Sequence, residues 1–500
     1  MSMNKTPLSN TFTNNKFFIA EECRYNIDTT KKIGLCHGVF DIIHIGHIEH
    51  LKEAKDKCDT LIVSLTSDRY VNKGPDRPFF NIEHRLNVIS ALEFVDVVTI
   101  SDSPSSEHVI NCIKPDYYIK GIEYKEKEDI TNKIDLERES VEQNGGSILF
   151  LTNKNIFSSS KLLNNSLFGK EFLEFTEELK KEYSIEDIFN MMDRLSAQTI
   201  DLAGEIIIDE YIYGNCLGKS SKYPAIVFDN GESQKFLGGV GAVANQLSPL
   251  VKKINLITYI GDKNFQESLE FITANLSDNI DLDYIIKKNS PTIKKTRFID
   301  SYWKSRMFET YEINDRPLDE REEIIKTEKM KFCHKPLVID YGHGFLCGTE
   351  NIFSVNVQSN SGNRGYNFIS KYDNAEVYII DEQELRLEMR NKHSNAFSLA
   401  KELQKKIKGI LVVTRGCNGS IVVGNDWEGI APAISGEIKD TVGAGDAFFG
   451  IFSVFFKQGT PSKVAAFLAN IAGYMEANVI GHKREYRKLD FKQAIATLLK

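Results

Sequence analysis

The stretch GVFDIIHIGHIEHLKEA, from Gly38 to Ala54, joins a strand-like run to a helical pattern and places histidines at the junction. The preceding run, KKIGLCHGVF, is short and apolar, and the following HIEHLKEAKDKC has helical spacing. His44 and His47 flank Gly46 where the loop becomes a helix. A helix N-terminus offers free N–H groups and the positive end of the helix dipole, so this junction predicts a phosphate site with two imidazoles beside it.

Strands and helices alternate on both sides of a charged helical segment, which predicts two α/β units with parallel sheets. We expect a polar N-terminal extension over residues 1–31 and a Rossmann-like domain over residues 32–165. Residues 166–195 read as a helical linker with a lead-in helix, and residues 196–500 as a second α/β domain.

The composition is that of a globular chain without a nucleic-acid or membrane partner. The 500 residues are 41% hydrophobic and 26% charged, with a formal net charge of -8. The eight cysteines are scattered without a CxxC pair, which argues against a disulfide framework or a zinc site. The N-terminus lacks the pattern of a signal peptide, and no run is apolar enough to span a bilayer. We therefore expect a reduced, cytoplasmic protein.

The N-terminal motif resembles the HxGH signature of the cytidylyltransferase-like nucleotidyltransferases. The segments DRPFFNIEHRLNVISALEFVD, PDYYIKGIEY and FSSSKLL resemble, in order and spacing, the adenylyltransferase part of the bifunctional heptose enzymes that make ADP-heptose. The resemblance implies that His44 and His47 act on the nucleotide phosphates during transfer. It further implies nucleotide or phosphate contacts at Phe40, Gly46, Lys73, Arg85, Lys120, Ser158, Ser159 and Ser160. Asp41 we assign first to capping or buttressing the loop.

The C-terminal stretch DTVGAGDAFFG, from Asp440 to Gly450, carries the second site. Gly443 and Gly445 precede an apolar helix and build an anion cradle from backbone N–H groups. Asp446 lies within that cradle, where a carboxylate is a poor phosphate ligand but a suitable general base for a substrate hydroxyl. This combination predicts phosphoryl transfer from ATP.

This motif resembles the ribokinase, or PfkB, family of sugar kinases, and the likeness extends over residues 198–485. It implies a ribokinase-like α/β domain with a small β-lid, through which such kinases often dimerise, so a homodimer is left open. The implied sugar contacts are Asp209, Gly238, Gly239 and Asn245. The implied nucleotide contacts are Thr414, Arg415, Gly416, Gly419, Gly443, Ala444 and Gly445.

Three features depart from the family pattern. The usual Asn-x-x-Glu that organises magnesium reads Asp381-Glu-Gln-Glu384, so Glu384 is the expected metal-organising residue. The Asp-Pro-Lys usual in heptose kinases is replaced by VNVQSNSGNRGYN, which begins at Val355, includes Asn356 and makes Arg364 a candidate phosphate contact. The transferase domain precedes the kinase domain, the reverse of the best-known bifunctional heptose enzyme.

These observations predict a bifunctional, Mg²⁺-dependent enzyme of nucleotide-sugar synthesis. One domain phosphorylates a sugar or sugar phosphate, such as a heptose 7-phosphate, with ATP. The other transfers a nucleotidyl group from ATP, or from CTP, to a sugar 1-phosphate and releases pyrophosphate. The expected product feeds lipopolysaccharide or another surface polysaccharide. Two alternatives remain open, namely CTP-dependent activation of a polyol phosphate or other modified sugar, and a non-catalytic binding or dimerisation role for one domain.

Overall fold

The computed structural model describes residues 16–71, 77–103, 105–121, 133–151, 169–347, 351–436, 438–478 and 487–499. The chain divides into two compact units, one built mainly from residues up to 167 and the other from residues 168–495. Both units are α/β with largely parallel main sheets, which confirms the predicted fold class.

The described part of the first unit contains a parallel sheet of five strands in the order β3-β2-β1-β4-β5. The strands are β1 (Ile33–Gly38), β2 (Thr60–Thr66), β3 (Val97–Ser101), β4 (Tyr117–Gly121) and β5 (Ser147–Leu151). The helices are α1 (Ala20–Cys23), α2 (Ile45–Lys55), α3 (Ile82–Ser90), α4 (Glu107–Ile113) and α5 (Lys133–Gln143). The strand order reverses beside β1, and the crevice at such a reversal is where open α/β sheets bind ligands.

Strand β2 shows why this sheet is buried on both faces. Leu61, Val63 and Leu65 belong to one hydrophobic core, while Ile62 belongs to the other. Because strand side chains alternate between faces, the consecutive apolar residues of β2 fill both cores.

The predicted N-terminal extension is part of this unit from residue 16 onward. The backbone N–H of Phe18 donates to the carbonyl of Val98 at 3.2 Å, and the N–H of Val98 donates to the carbonyl of Lys16 at 2.9 Å. Ala20 and Cys23 are buried in the core. Residues 16–18 cover the edge strand β3. The polar residues around them in the sequence gave no indication of this role.

The second unit has a main sheet whose described strands run in the order β10-β9-β6-β13-β14-β15-β16-β17-β18. These strands are β6 (Thr199–Gly204), β9 (Lys253–Lys263), β10 (Ile280–Pro291), β13 (Leu337–Asp340), β14 (Ser354–Val357), β15 (Val377–Asp381), β16 (Ile410–Thr414), β17 (Ser420–Val423) and β18 (Glu428–Ala431). The helices are α6 (Lys170–Glu182), α7 (Ile185–Leu195), α8 (Val240–Leu247), α9 (Phe265–Asn275), α10 (Glu320–Met330), α11 (Glu382–Glu388), α12 (Ala396–Gln404), α13 (Ala444–Lys457), α14 (Ser462–Ala477) and α15 (Lys488–Leu498).

A separate four-stranded sheet of described residues forms the expected β-lid of the second unit, in the order β12-β11-β7-β8. Its strands are β7 (Ile206–Lys219), β8 (Ile226–Gly239), β11 (Ile293–Asp300) and β12 (Arg306–Glu312). Strand β7 pairs parallel with β11 and antiparallel with β8.

Helices α6 and α7, which we expected as a linker and lead-in helix, lie within the second unit. The Phe175 ring packs against Trp427 and Phe467, with centroids 6.1 and 6.3 Å away. Lys463 Nζ lies 2.7 Å from Glu182 Oε1. The charged surface of α6 suggested a linker, but its buried face makes it a component of the second core.

All eight cysteines are free thiols, and Cys23 and Cys36 are buried. Burial raises the pKa of the Cys23 thiol to about 11, so this group stays protonated and packs as a small apolar side chain. None of the described helices combines the length and apolarity that crossing a membrane requires.

Candidate active sites

The two predicted histidines of the first unit lie together at the start of α2. His44 is the N-cap residue, and its Nδ1 accepts a hydrogen bond from the Gly46 backbone N–H at 3.1 Å. The His47 ring stacks on the His44 ring with centroids 3.9 Å apart. Burial lowers the pKa of His44, so the neutral ring carries its proton on Nε2. The Gly46 amide, expected to face a phosphate, is instead bonded to His44.

The loop before α2 is fixed by a buried acid. Phe40 adopts φ 50°, and the edge of its ring meets His47 with centroids 5.5 Å apart. The Asp41 carboxylate accepts hydrogen bonds from the backbone N–H groups of Phe79 and Phe80, both at 2.9 Å. Asp41 therefore buttresses the loop, the structural role we assigned to it first.

Arg85, expected to contact phosphate, is only 1% exposed and braces the loops of this site. Its guanidinium donates to Phe80 O at 2.9 Å, Val39 O at 2.6 Å, Thr66 O at 2.9 Å and Asp68 Oδ1 at 2.5 Å. These bonds occupy the guanidinium within the protein. Arg85 is therefore a positioning residue for the chain on both sides of the helix mouth.

Lys120 lies at the C-terminal end of β4, beside β1. Its Nζ is 3.0 Å from Glu137 Oε2, and its side chain is 12% exposed. A substrate phosphate at this place would compete with Glu137 for the ammonium group. Lys73, Ser158, Ser159 and Ser160 fall outside the described residues.

A cleft of about 850 Å³ in the second unit gathers most of the nucleotide contacts implied by the sequence. Its lining includes Thr414, Arg415, Gly416, Gly419, Ala444 and Gly445. Apolar side chains of Ile434, Ile438, Phe448 and Tyr474 line it as well. A large apolar cleft with a few convergent polar groups has the size and character of a nucleotide pocket.

Helix α13 begins at the edge of this cleft. Its N-cap, Gly443, adopts φ 83°, and no side chain caps the helix start. Only glycine takes such a left-handed conformation without strain. The uncapped N–H groups and the helix dipole are therefore available to an anion.

Asp446 lies in the first turn of α13 and is 9% exposed. Gln358 Nε2 donates to Asp446 Oδ1 at 2.6 Å. Burial and the charge of Asp446 raise the pKa of the Tyr341 hydroxyl well above its usual value. A neutral amide thus helps to orient Asp446 without neutralising its charge.

Buried Glu205 holds the loop that carries Tyr341. Its carboxylate accepts hydrogen bonds from the backbone N–H groups of Tyr341 at 2.9 Å, His343 at 3.1 Å and Phe345 at 3.3 Å. Burial and the neighbouring Asp340 raise the pKa of Glu205 to about 7. The buried Glu205 carboxylate therefore fixes the backbone of residues 341–345.

The Asp381–Glu384 pair forms a capping box at the start of α11. Asp381 Oδ1 accepts from the Glu384 N–H, and Glu384 Oε2 accepts from the Asp381 N–H, both at 2.7 Å. Glu384 Oε1 also accepts from the Ser359 N–H at 2.6 Å. Burial and the Asp381 charge raise the pKa of Glu384 to about 8. Arg364 is exposed and reaches Gln383 at 3.5 Å.

The lid carries a row of polar side chains on its neighbouring strands β7 and β11. Asp209 on β7 lies in register with Lys295 on β11 and forms an ion pair with Arg297. A Cβ atom at Gly238 would lie 1.9 Å from Asp209 Oδ2, so only glycine fits beside this carboxylate. Gly239 is the N-cap of α8.

Asn245, expected near the sugar, is bound to a different segment. Its Nδ2 donates to Asn275 O at 2.8 Å, and its Oδ1 accepts from the Ser277 N–H at 3.0 Å. These bonds tie α8 to the end of α9. The structure does not bring Asn245 into contact with Asp209.

Asp440 connects the lid to the glycine loop. Its carboxylate accepts from Arg306 Nη2 on β12 at 3.1 Å and from the Tyr211 hydroxyl on β7 at 3.3 Å. It also accepts from the Val442 N–H at 3.1 Å. One carboxylate therefore joins two lid strands to the loop that precedes α13.

The two regions match models of two transferase families. Residues 35–165 match the cytidylyltransferase-like model, and residues 367–482 match that of the pfkB family of carbohydrate kinases. The chain carries both domains, in that order. These matches confirm both resemblances and the transferase-first arrangement.

Curated relatives match over part of their length. The chain is 43% identical over 112 residues to the "Bifunctional protein HldE" of Campylobacter jejuni, covering 21% of this chain and 24% of that protein. It is 37% identical over 141 residues to the protein of the same name from Hyphomonas neptunium, covering 28% of each. The chain thus spans about a quarter of the length of these relatives.

Two solved structures resemble the chain more distantly. A ribokinase from Thermotoga maritima is 15% identical, with a TM-score of 0.45, covering 60% of this chain and 99% of that one. Phosphofructokinase-2 from Escherichia coli is 14% identical, with a TM-score of 0.48, covering 61% of this chain and 100% of that one.

Sequence reasoning missed Gln358, Arg297 and Lys295. Gln358 lies within VNVQSNSGNRGYN, noted only as a departure, and it reaches Asp446 from the loop that follows β14. Arg297 and Lys295 share the KKTRF run of β11, where alternate basic residues on a strand signal one charged face. The sequence shows this charged face, but it does not show which residues of the neighbouring strands pair with it.

Proposed function

We propose that this chain is a bifunctional enzyme that phosphorylates a sugar or sugar phosphate and transfers a nucleotidyl group to a sugar 1-phosphate. By the sequence resemblance, the sugar is a heptose and the nucleotide donor is ATP. The observation that carries the proposal is the position of Asp446. Its chain neighbours Ala444 and Gly445 line the nucleotide cleft, and its carboxylate lies near enough to Tyr341 and to Lys295 on β11 for its charge to raise the pKa of both.

In the kinase half, the γ-phosphate of ATP lies at the uncapped start of α13. The acceptor hydroxyl gives its proton to Asp446 as its oxygen forms a bond to the γ-phosphorus, and the bond to ADP breaks. The N–H groups after Gly443 stabilise charge on the transferred group. Asp209 would accept hydrogen bonds from sugar hydroxyls, assisted by the absence of a side chain at Gly238.

In the transferase half, an oxygen of the sugar 1-phosphate attacks the α-phosphorus of the nucleoside triphosphate and pyrophosphate leaves. The His44 Nε2–H donates to the phosphoryl oxygens, because Nδ1 is engaged with Gly46. His47, stacked on His44, lies where it can contact the same group. Positioning and charge stabilisation suffice for this step.

The acidic groups beside the kinase cleft fit Mg²⁺. The carboxylates of Asp381 and Glu384 supply the hard oxygen ligands that this ion prefers, directly or through water. Burial raises the pKa of both carboxyls, neighbouring acidic charges (Glu382 at Asp381, and Asp381 at Glu384) raise them further, and a cation at this place would offset that repulsion. Bound Mg²⁺ would neutralise charge on the ATP phosphates.

We further propose that the enzyme acts in the cytoplasm and supplies an ADP-heptose-like precursor of lipopolysaccharide. The supply of ATP and sugar phosphates and the eight free thiols support the cytoplasmic location. Dimerisation through the lid remains part of the proposal, with size-exclusion chromatography as its test.

The decisive experiment follows both reactions in the full-length chain. ADP release with ATP and a panel of heptoses and their phosphates reports the kinase. Pyrophosphate release from ATP or CTP with sugar 1-phosphates reports the transferase. Turnover in both assays supports the proposal, whereas nucleotide binding without turnover in one of them would make that domain a binding module.

A further inference from the structure

We propose that Glu21, His108 and Cys112 form a surface site in the first unit that binds Zn²⁺ and thereby fastens α1 to α4. The site is independent of both proposed reactions. Helices α1 and α4 pack on the core that lies on the other face of the sheet from α2, whose start carries His44 and His47.

Three side chains of different donor chemistry converge where α1 meets α4. His108 Nε2 lies 3.0 Å from Glu21 Oε1, and Cys112 Sγ lies 3.8 Å from the same nitrogen atom. One ligand atom from each residue lies within 4.8 Å of the other two. Ligand atoms on one tetrahedral Zn²⁺ lie about 3.3–3.6 Å apart, as its bond lengths require. Small side-chain rotations therefore bring all three atoms to one ion.

A packed core positions these ligands. His108 and Cys112 lie one turn apart on α4, so their side chains share one face of the helix. Ala20 on α1 belongs to the same hydrophobic core as the buried residues of α4. Arg24 Nη1, just after α1, donates to the Ile113 carbonyl at 2.9 Å and joins the ends of the two helices. Metal binding therefore needs little ordering of the backbone, which lowers its entropic cost.

The donor set selects the ion. An imidazole nitrogen, a thiolate sulfur and a carboxylate oxygen are the three ligand types that Zn²⁺ accepts, whereas Mg²⁺ and Ca²⁺ prefer oxygen alone. Water fills the fourth tetrahedral position, because three protein ligands leave one open. The Cys112 thiol gives its proton to solvent as the bond from Sγ to zinc forms, and His108 binds through its neutral ring.

Sequence reasoning argued against zinc because the cysteines show no paired spacing. Glu21 lies 87 residues before His108 in the chain, and only the fold brings the two together. A histidine and a cysteine four residues apart on a helix do not by themselves make a site. The carboxylate from α1 supplies the third ligand.

The test is titration of the full-length chain, kept reduced and first freed of metal with a chelator, with Co²⁺ as a spectroscopic substitute for Zn²⁺. A thiolate ligand gives bound Co²⁺ a charge-transfer band that carboxylate sites elsewhere in the chain do not produce. Zn²⁺ added afterwards displaces Co²⁺ and reports the Zn²⁺ affinity. Glu21→Ala, His108→Ala and Cys112→Ser each remove one ligand, and Cys347→Ser removes an exposed thiol elsewhere as the matched control.

We expect one equivalent of Co²⁺ per chain to give the thiolate band in wild type and in Cys347→Ser, and Cys112→Ser to abolish it. Glu21→Ala and His108→Ala should weaken Zn²⁺ binding at least about 10- to 100-fold, a loss typical even of groups that act on a metal through its ligands. The side chains of Glu21 and His108 are 59% and 54% exposed, so these two variants serve if Cys112→Ser does not fold.

Amide hydrogen exchange measures the fastening of α1. Zn²⁺ should slow exchange in α1 of wild type and leave it unchanged in Cys112→Ser, because an ion bound only to the closed arrangement stabilises it. A thiolate band that survives Cys112→Ser would overturn the inference. So would a Zn²⁺ affinity equal in wild type and the ligand variants, which indicates an adventitious ion only, or unchanged exchange of α1 in wild type.

Discussion

Replacing Asp446 by asparagine tests the kinase half most directly. The side chain keeps its shape, and the amide oxygen can still accept the 2.6 Å hydrogen bond from Gln358 Nε2. The glycine loop and the uncapped start of α13 are unchanged, so ATP binding should persist. What is lost is the acceptor for the proton of the attacking hydroxyl.

Loss of a positioned general base lowers turnover by about 10²–10⁴-fold. At about 1.4 kcal/mol per factor of ten, this corresponds to about 3–5 kcal/mol in the activation barrier. The assay is ADP release by the full-length chain with saturating ATP and the best acceptor of the panel. ATP affinity, measured by calorimetry, should stay within a few-fold of wild type.

The transferase domain supplies the control within the same molecule. Pyrophosphate release by the Asp446→Asn variant should equal that of wild type, since the proposed His44 and His47 site belongs to the other unit. Gln358→Leu is a second control, in which the base is retained but its orienting donor is lost, and we expect a smaller fall. An Asp446→Asn variant with ADP release near the wild-type rate would refute the assignment of Asp446 as base.

Three further predictions address the rest of the molecule. His44→Asn keeps a good N-cap side chain but removes the Nε2–H, so pyrophosphate release should fall about 10²-fold with the thermal midpoint unchanged; an unchanged rate would contradict the role of His44. Arg85→Met removes the buried guanidinium that donates to three carbonyls and to Asp68. The first unit should lose about 3–5 kcal/mol of unfolding free energy in denaturant titrations. Little change in that free energy would contradict the bracing role of Arg85. The pKa of Glu205 is raised to about 7, so the folded state keeps a proton that the unfolded state loses near pH 4.5. The unfolding free energy of wild type, relative to that of Glu205→Gln, should therefore fall between about pH 4.5 and 7. A difference between the two proteins that does not change with pH would contradict this.

Much of the fold was predictable because its signals are local. The apolar residues of β2 predict a sheet that is buried on both faces. The glycines at the start of α13 predict a helix start that can bind an anion. Each signal lies within a few consecutive residues. The predicted parallel sheets and the lid are confirmed on this basis.

The site was less predictable wherever a role depends on a distant partner. Arg85 looked like a phosphate ligand, but its acceptors come from segments as far as 46 residues away in the chain. Asn245 is drawn to the end of α9 by bonds across about thirty residues. A single sequence shows that such a side chain is polar or charged, but not which group it will bond to in the folded protein.

The contacts of Asp440 bear on how the enzyme treats water as a competing acceptor. Arg306 and Tyr211 of the lid share this carboxylate with the loop before α13, so a lid that moved away would break bonds to the loop proposed to receive the γ-phosphate. If acceptor binding holds the lid in place, these bonds would couple it thermodynamically to phosphate binding, each favouring the other. Without the acceptor the phosphate loop would then lose part of its support, which would disfavour futile hydrolysis of ATP.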